Sequence, residues 1–157
     1  VWPSSSCYGC GPANPHGYHI KSYWAADESA VVATFQADVK YNAGFDNVMY
    51  GGLIASLIDC HSVWTAIAYG YREEGRSHGS LPSITYVTGK LEVRFIKPTP
   101  LDRPVYLRAQ VEKFEGRRAT VVCHLGPEGD VTAEGHVLAV RIDADKAVGA
   151  DMSNSGS

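Results

Sequence analysis

The chain is poor in several things that would have decided its class at once. Four cysteines in 157 residues are too few to staple a small scaffold, so a core must hold the fold together. With 45% hydrophobic residues the chain is long enough and apolar enough to build one. Positive charge is not in excess. A net charge of −3 and a pI of about 6.1 argue against bulk electrostatic binding of nucleic acid or of an anionic membrane surface. No uninterrupted apolar run approaches the ~20 residues of a membrane span, and no basic-then-apolar leader opens the sequence, so a cytoplasmic protein without a membrane partner is expected. Internal repeats and low-complexity segments are missing too, which leaves one domain.

One absence is local. From Val48 to Tyr71 there is no Lys or Arg and no proline, and the stretch 50–71, YGGLIASLIDCHSVWTAIAYGY, holds a single carboxylate, Asp59. Leu, Ile, Ala and Trp between glycines predict one long helix over about 51–71, with Gly70 closing it. At 100° per residue, Gly52, Ala55, Asp59, Ser62, Ala66 and Gly70 share a narrow face of small side chains. Leu53, Ile54, Leu57, Trp64, Ala68 and Tyr71 form the bulky side, expected to bury in a sheet. A charged Asp on such a helix costs several kcal/mol unless it is paired, neutralised or used. A helix start at Gly51 and Gly52 offers unpaired N–H groups to a substrate oxygen. N–H groups and a carboxylate together suit attack on a carbonyl. A structural Asp that caps a neighbouring loop is the alternative.

Around this helix the chain reads as strands. Val1 to Ser6 is a loose lead-in. CYGCGPANPHGYH follows, where Cys7 and Cys10 have metal-ligand spacing with His16 and His19 behind them; the histidine spacing departs from finger patterns, and a turn-rich loop without metal is expected. Residues 18–23 and 30–35 read as an antiparallel pair. A charged, Gly-rich loop follows the helix, either a lid or idle surface. Four long runs then follow within 85–98, 103–114, 117–125 and 130–142, joined by short turns as an antiparallel meander. Residues 143–157 are small and polar and are expected to be disordered. Cys60 and Cys123 sit in apolar patterns as reduced core residues. The expected fold is α+β, about six antiparallel strands wrapped around one central helix, in a single domain over 7–142. One helix cannot cover such a sheet, so the small face carrying Asp59 is expected to meet a second copy.

This order of elements resembles the hotdog-fold acyl-CoA thioesterases, in particular the group related to the phenylacetate-pathway thioesterase, over about Cys7 to Ile142. That group opens its helix with HGG and carries an Asp seven residues after the second Gly, positions matched here by Gly51, Gly52 and Asp59. TGKLEVRFIKPTPL is similar to the family's strand ending in a basic residue and proline, and CYGCGPANPHG to a lead-in that relatives carry. The resemblance implies hydrolysis of acyl-CoA thioesters, with Asp59 as nucleophile or general base and the Gly52 and Leu53 N–H groups as oxyanion hole. It implies Thr88 beside Asp59 across a dimer interface, and a homodimer or dimer of dimers. Tyr50 stands where the family has its histidine. Arg94 and Lys97, with Lys90 and Arg118, are candidates for the phosphates of coenzyme A; a solvated sheet face is the other reading. No cofactor beyond the substrate's own CoA is implied. A non-catalytic acyl-CoA binder and an acyl-thioester hydratase or dehydratase remain open, the latter needing a histidine within reach of Asp59.

Overall fold

The computed structural model describes residues 2–143, so the tail expected over 143–157 lies, beyond Asp143, outside the described residues. Helix α1 (Gly51–Glu73) is the only α-helix among them. The strands are β1 (Tyr23–Trp24), β2 (Val31–Phe35), β3 (Thr85–Phe95), β4 (Val105–Glu115), β5 (Arg118–Gly126) and β6 (Ala133–Ile142). They form one six-stranded sheet in the order β1-β2-β4-β5-β6-β3, with every neighbouring pair antiparallel. The expected α+β architecture is therefore present.

Two details differ from the sequence reading. The first strand is only two residues long; Tyr18 and Ile20 are tied instead to the N-terminal loop, their N–H groups donating to the Tyr8 and Gly9 carbonyls. The meander holds for β4, β5 and β6, but β3 does not pair with β4. It crosses to the far edge and pairs with β6.

α1 is seated by its bulky side. Leu53, Ile54, Leu57 and Ile58 are at most 2% exposed and pack with Val105, Leu107, Val121, Leu125 and Val137 from the inner faces of β4, β5 and β6. Each fully buried Leu or Ile contributes roughly 1.5–3 kcal/mol. The approach is close at Gly135, where an added Cβ would sit 2.3 Å from Ile58 Cγ2. By length and composition α1 is apolar enough to cross a membrane, and burial against the sheet accounts for that composition.

The helix does not end at Gly70. It runs to Glu73 and is closed by Gly75 at φ +61°, with the Arg76 N–H donating to Tyr71 O and the Gly75 N–H to Arg72 O, a Schellman closure. Gly70 has a packing role: a Cβ there would lie 3.3 Å from Ile84 Cγ2 and 3.5 Å from the Tyr86 ring. Further back on the small face Ser62 and Ala66 are also fully buried. The face expected to be open from Gly52 to Gly70 is thus open only along its first half, where Gly52 is exposed and Ala55 and Asp59 are half-buried, beside half-buried Ser56, Cys60 and Val63.

Candidate active site

The start of α1 is uncapped. Tyr50 occupies the N-cap position, where a Ser, Thr, Asp or Asn would normally accept from the first turn, and its side chain makes no capping bond. The Leu53 N–H donates to the Tyr50 carbonyl at 3.2 Å. The Gly51 and Gly52 N–H groups have no acceptor among the described residues. The free pair therefore lies one residue earlier than Gly52 and Leu53. Aromatic rings flank it: a Cβ on Gly51 would be 3.1 Å from Phe95 Cζ, and one on Gly52 only 2.3 Å from Tyr50 Cε2. Glycine is needed at 52 because the Tyr50 ring lies over it. That ring is fixed by its phenol, 3.3 Å from the Tyr18 hydroxyl, and by Tyr41 at 6.4 Å between centroids. Burial pushes the Tyr18 phenol up, so it stays protonated and available to the pair.

Two turns on, the half-buried Asp59 accepts a hydrogen bond from the Thr88 hydroxyl at its Oδ1. Thr88 reaches it because β3 is the edge strand beside β6, and a register shift between Thr88 and Lys90 interrupts the alternation there. The contact is made within one chain, which corrects the expectation that Thr88 is supplied across an interface.

His61 is not part of this group. It is fully buried, with Nδ1 2.7 Å from Ser22 Oγ and Nε2 3.1 Å from the Val31 carbonyl. Since a carbonyl only accepts, Nε2 carries the proton and donates to it, and Nδ1 accepts a hydrogen bond from the Ser22 hydroxyl. Burial lowers its pKa from 6.5 to about 4. The neutral form's stabilisation is thus complete above the unfolded value of 6.5 and is lost as pH falls through the folded value of about 4. Across that window the native state should lose about 1.4 kcal/mol per pH unit from this group, ~3 kcal/mol in all. Urea unfolding at pH 7 and pH 4.5 should show the loss, and a His61→Gln variant should flatten the slope; an unchanged slope would show His61 to be already free to titrate.

The four basic candidates do not form one patch. Arg94 pairs with Glu134 at 3.7 Å, Lys97 with Asp130, and Lys90 with Glu92 at 3.0 Å. Arg94 lies opposite Glu134, whereas Arg118 lies opposite Val140, six residues further along β6, about 20 Å away at ~3.3 Å per residue. Arg94 and Lys97 share one end of the sheet, Lys90 sits at mid-strand opposite Leu138, and Arg118 lies towards the other end. Glu134 also accepts from His124 and His136 at 3.1 Å each, and His136 with His124 holds its carboxyl below the usual range.

The sequence reading missed what lies beside Asp59 on the helix. Cys60 is not a plain core residue: its Sγ is 3.7 Å from Cys7 Sγ, with Cys10 in the same cluster. A hydrogen bond from Cys60 pulls the Cys10 thiol down to about 6, and the same contact with burial pushes Cys60 up. A separation of 53 residues hides this contact from any spacing pattern.

A curved antiparallel sheet around one buried helix, with uncapped glycine N–H groups and a carboxylate along the helix's open half, defines a hotdog-fold protein. The chain belongs to the thioesterase superfamily, whose family model matches residues 46–134. It is similar to the rat acyl-coenzyme A thioesterase THEM4, 25% identical over 132 residues, a match covering 83% of this chain and 51% of that protein. The chain thus spans about half the length of the curated relatives it matches. A thioesterase superfamily protein from Shewanella loihica is 30% identical, with a TM-score of 0.64, over 83% of this chain and 97% of that one. The PaaI protein of the E. coli phenylacetic acid degradation operon shares the fold at 16% identity, with a TM-score of 0.63 over 80% of both chains.

Proposed function

We propose that the protein hydrolyses acyl-CoA thioesters to the free acid and coenzyme A. The observation that carries this is Asp59, a carboxylate on a helix whose other charged side chains, Arg72 and Glu73, lie in its last turn, oriented by Thr88 on the same open face as the unpaired Gly51 and Gly52 N–H groups. In this reading the N–H groups polarise the thioester carbonyl as its oxygen gains charge. Asp59 either attacks the carbonyl carbon, with water then hydrolysing the anhydride, or takes the proton from an attacking water. Both routes consume one water and release the CoA thiol. Thr88 holds one carboxylate oxygen and leaves the other for the reaction.

Helix geometry constrains how the two halves act together. Seven residues separate Gly52 from Asp59, about 10 Å along the axis at 1.5 Å per residue, too far for both to touch one carbonyl group. The working site in our proposal therefore combines Asp59 of one copy with the Gly51 and Gly52 N–H groups of another. Two features support a homodimer. Among the described residues β3 has a sheet neighbour on one side only, and Leu91 and Phe95, in register with buried Val137 and Ala133, are 36% and 54% exposed. A second copy against β3 and the open half of α1 would cover them. The phosphates of CoA are assigned to Arg94 and Lys97, which share one end of β3.

Tyr50 supports a second reading, a binder of acyl-CoA without turnover, since its phenol is occupied by Tyr18 where the related enzymes carry a histidine. The hydratase reading has no support, because both His61 nitrogens are engaged away from Asp59. A panel of short, long and aromatic acyl-CoAs, followed by release of free thiol, separates these. Turnover of at least one ester is expected; affinity without thiol release would favour the binder.

A further inference from the structure

The cysteine cluster is not used by the proposed hydrolysis. Cys7 and Cys10 come from the turn 7–11, and Cys60 comes from α1, one residue after Asp59. All three Sγ atoms lie within 4.8 Å of one another, and Cys7 Sγ and Cys60 Sγ are 3.7 Å apart. A tetrahedral zinc with Zn–S bonds of about 2.3 Å sets its sulfurs ~3.8 Å apart. A disulfide would need them at about 2.05 Å.

The turn is shaped around that sulfur. A Cβ on Gly9 would fall 2.2 Å from Cys60 Sγ, so only glycine between the two loop cysteines lets the helix sulfur reach them. The turn is closed by the Gly11 N–H on the Cys7 carbonyl at 2.8 Å and docked by the Ile20 N–H on the Gly9 carbonyl at 3.0 Å. The histidines that the sequence placed as possible partners are elsewhere: His19 Nε2 lies against the Asn14 carbonyl, and His16 bonds Asn14 through its backbone. Beside the sulfurs runs a groove of about 410 Å³ lined by Trp2, Cys7, Cys10, Trp64 and His78 among others.

We infer that Cys7, Cys10 and Cys60 form a three-thiolate site for a thiophilic d10 cation, Zn²⁺ as the chemical type, with its fourth position open to water or a small ligand in the Trp2, Trp64 and His78 groove. Three thiolates select such soft or borderline ions over Mg²⁺ or Ca²⁺. Binding releases the thiol protons and ties the N-terminal turn to the helix directly behind Asp59. The ion's role is to anchor that turn, and the site is independent of thioester turnover.

The test uses the full chain, reduced, stripped with chelator and titrated anaerobically with Co²⁺ and then Zn²⁺. One equivalent of Co²⁺ should bind with the near-ultraviolet absorption of thiolate-to-cobalt charge transfer. Stoichiometric Zn²⁺ should displace it and raise the melting temperature. Cys60→Ser should weaken binding by more than the ~10–100-fold typical of losing an outer-shell partner, and Cys7→Ser should do the same. Cys123→Ser, in the buried core, should leave binding intact. Circular dichroism of each variant without metal shows whether it is folded. Binding that survives Cys60→Ser would overturn the site. So would a reduced wild type that takes up no Co²⁺ or Zn²⁺, and recovery of a Cys7–Cys60 disulfide from such protein would assign the cluster to redox chemistry.

Discussion

Asp59→Asn should reduce acyl-CoA turnover by roughly 10³-fold, within the range of ~10²–10⁴ lost with a positioned base, and more if Asp59 is the nucleophile. Asparagine is nearly the same shape and keeps a carbonyl oxygen to accept from Thr88 Oγ1, so the helix and its packing are unaffected. What it loses is the negative charge, and with it both the capacity to attack and the capacity to take a proton. In free-energy terms the barrier should rise by about 4 kcal/mol. The measurement is kcat from thiol release, with the melting temperature as a control and KM expected to change little. A variant that keeps more than about a tenth of wild-type kcat would remove Asp59 from the chemistry.

The second large effect is a recovery of activity. Gly52→Val drives a side chain into the space of the Tyr50 ring, since even a Cβ would come within 2.3 Å of it, and should disable the N–H pair. Each variant alone should be nearly inactive. If the site pairs Asp59 of one copy with the glycines of the other, a mixed dimer of Asp59→Asn and Gly52→Val has one site carrying both defects and one carrying neither. Random assortment in an equal co-expression should then restore about a quarter of wild-type activity, because half the dimers are mixed and half their sites intact. If each chain completes its own site, every site in the mixture carries one defect and nothing is recovered. Sedimentation of the wild type accompanies this test; an active monomer at micromolar concentration would exclude the shared site.

What could be read in the sequence follows from the range of each interaction. α1 was legible because its signals are local: a stretch without proline or positive charge, two glycines before it and a bulky stripe at helical spacing. Its end was misplaced because Gly70 looked like a stop. It is a helix residue whose missing side chain makes room for Ile84 and Tyr86, and only tertiary packing distinguishes the two roles. The strands were legible as alternating runs, but their order was not. Short turns suggest neighbours, and β3 goes to β6 across the sheet. The same limit explains Thr88. Its nearness to Asp59 came from resemblance, and that the two belong to one chain depends on β3 lying at the edge. Asp59 and the paired glycines stood out as chemistry out of place in an apolar helix. The link between Cys60 and the N-terminal turn has no periodic signature at all.

The position of β3 also governs when the site can exist. Among the described residues its only sheet partner is β6, the last strand of the described fold, and residues 96–132 are made between them. During synthesis at ~5–20 residues per second, an eleven-residue strand with exposed apolar side chains therefore waits for seconds with neither edge paired. Over that interval Thr88 has no fixed place, and Asp59 has no hydroxyl to orient it. The growing chain can complete its core helix, β4 and β5 before it can position its carboxylate, so the Asp59–Thr88 pair forms only with β6. A chain that stalls before β6 would leave β3 as a sticky template with no activity to show for it.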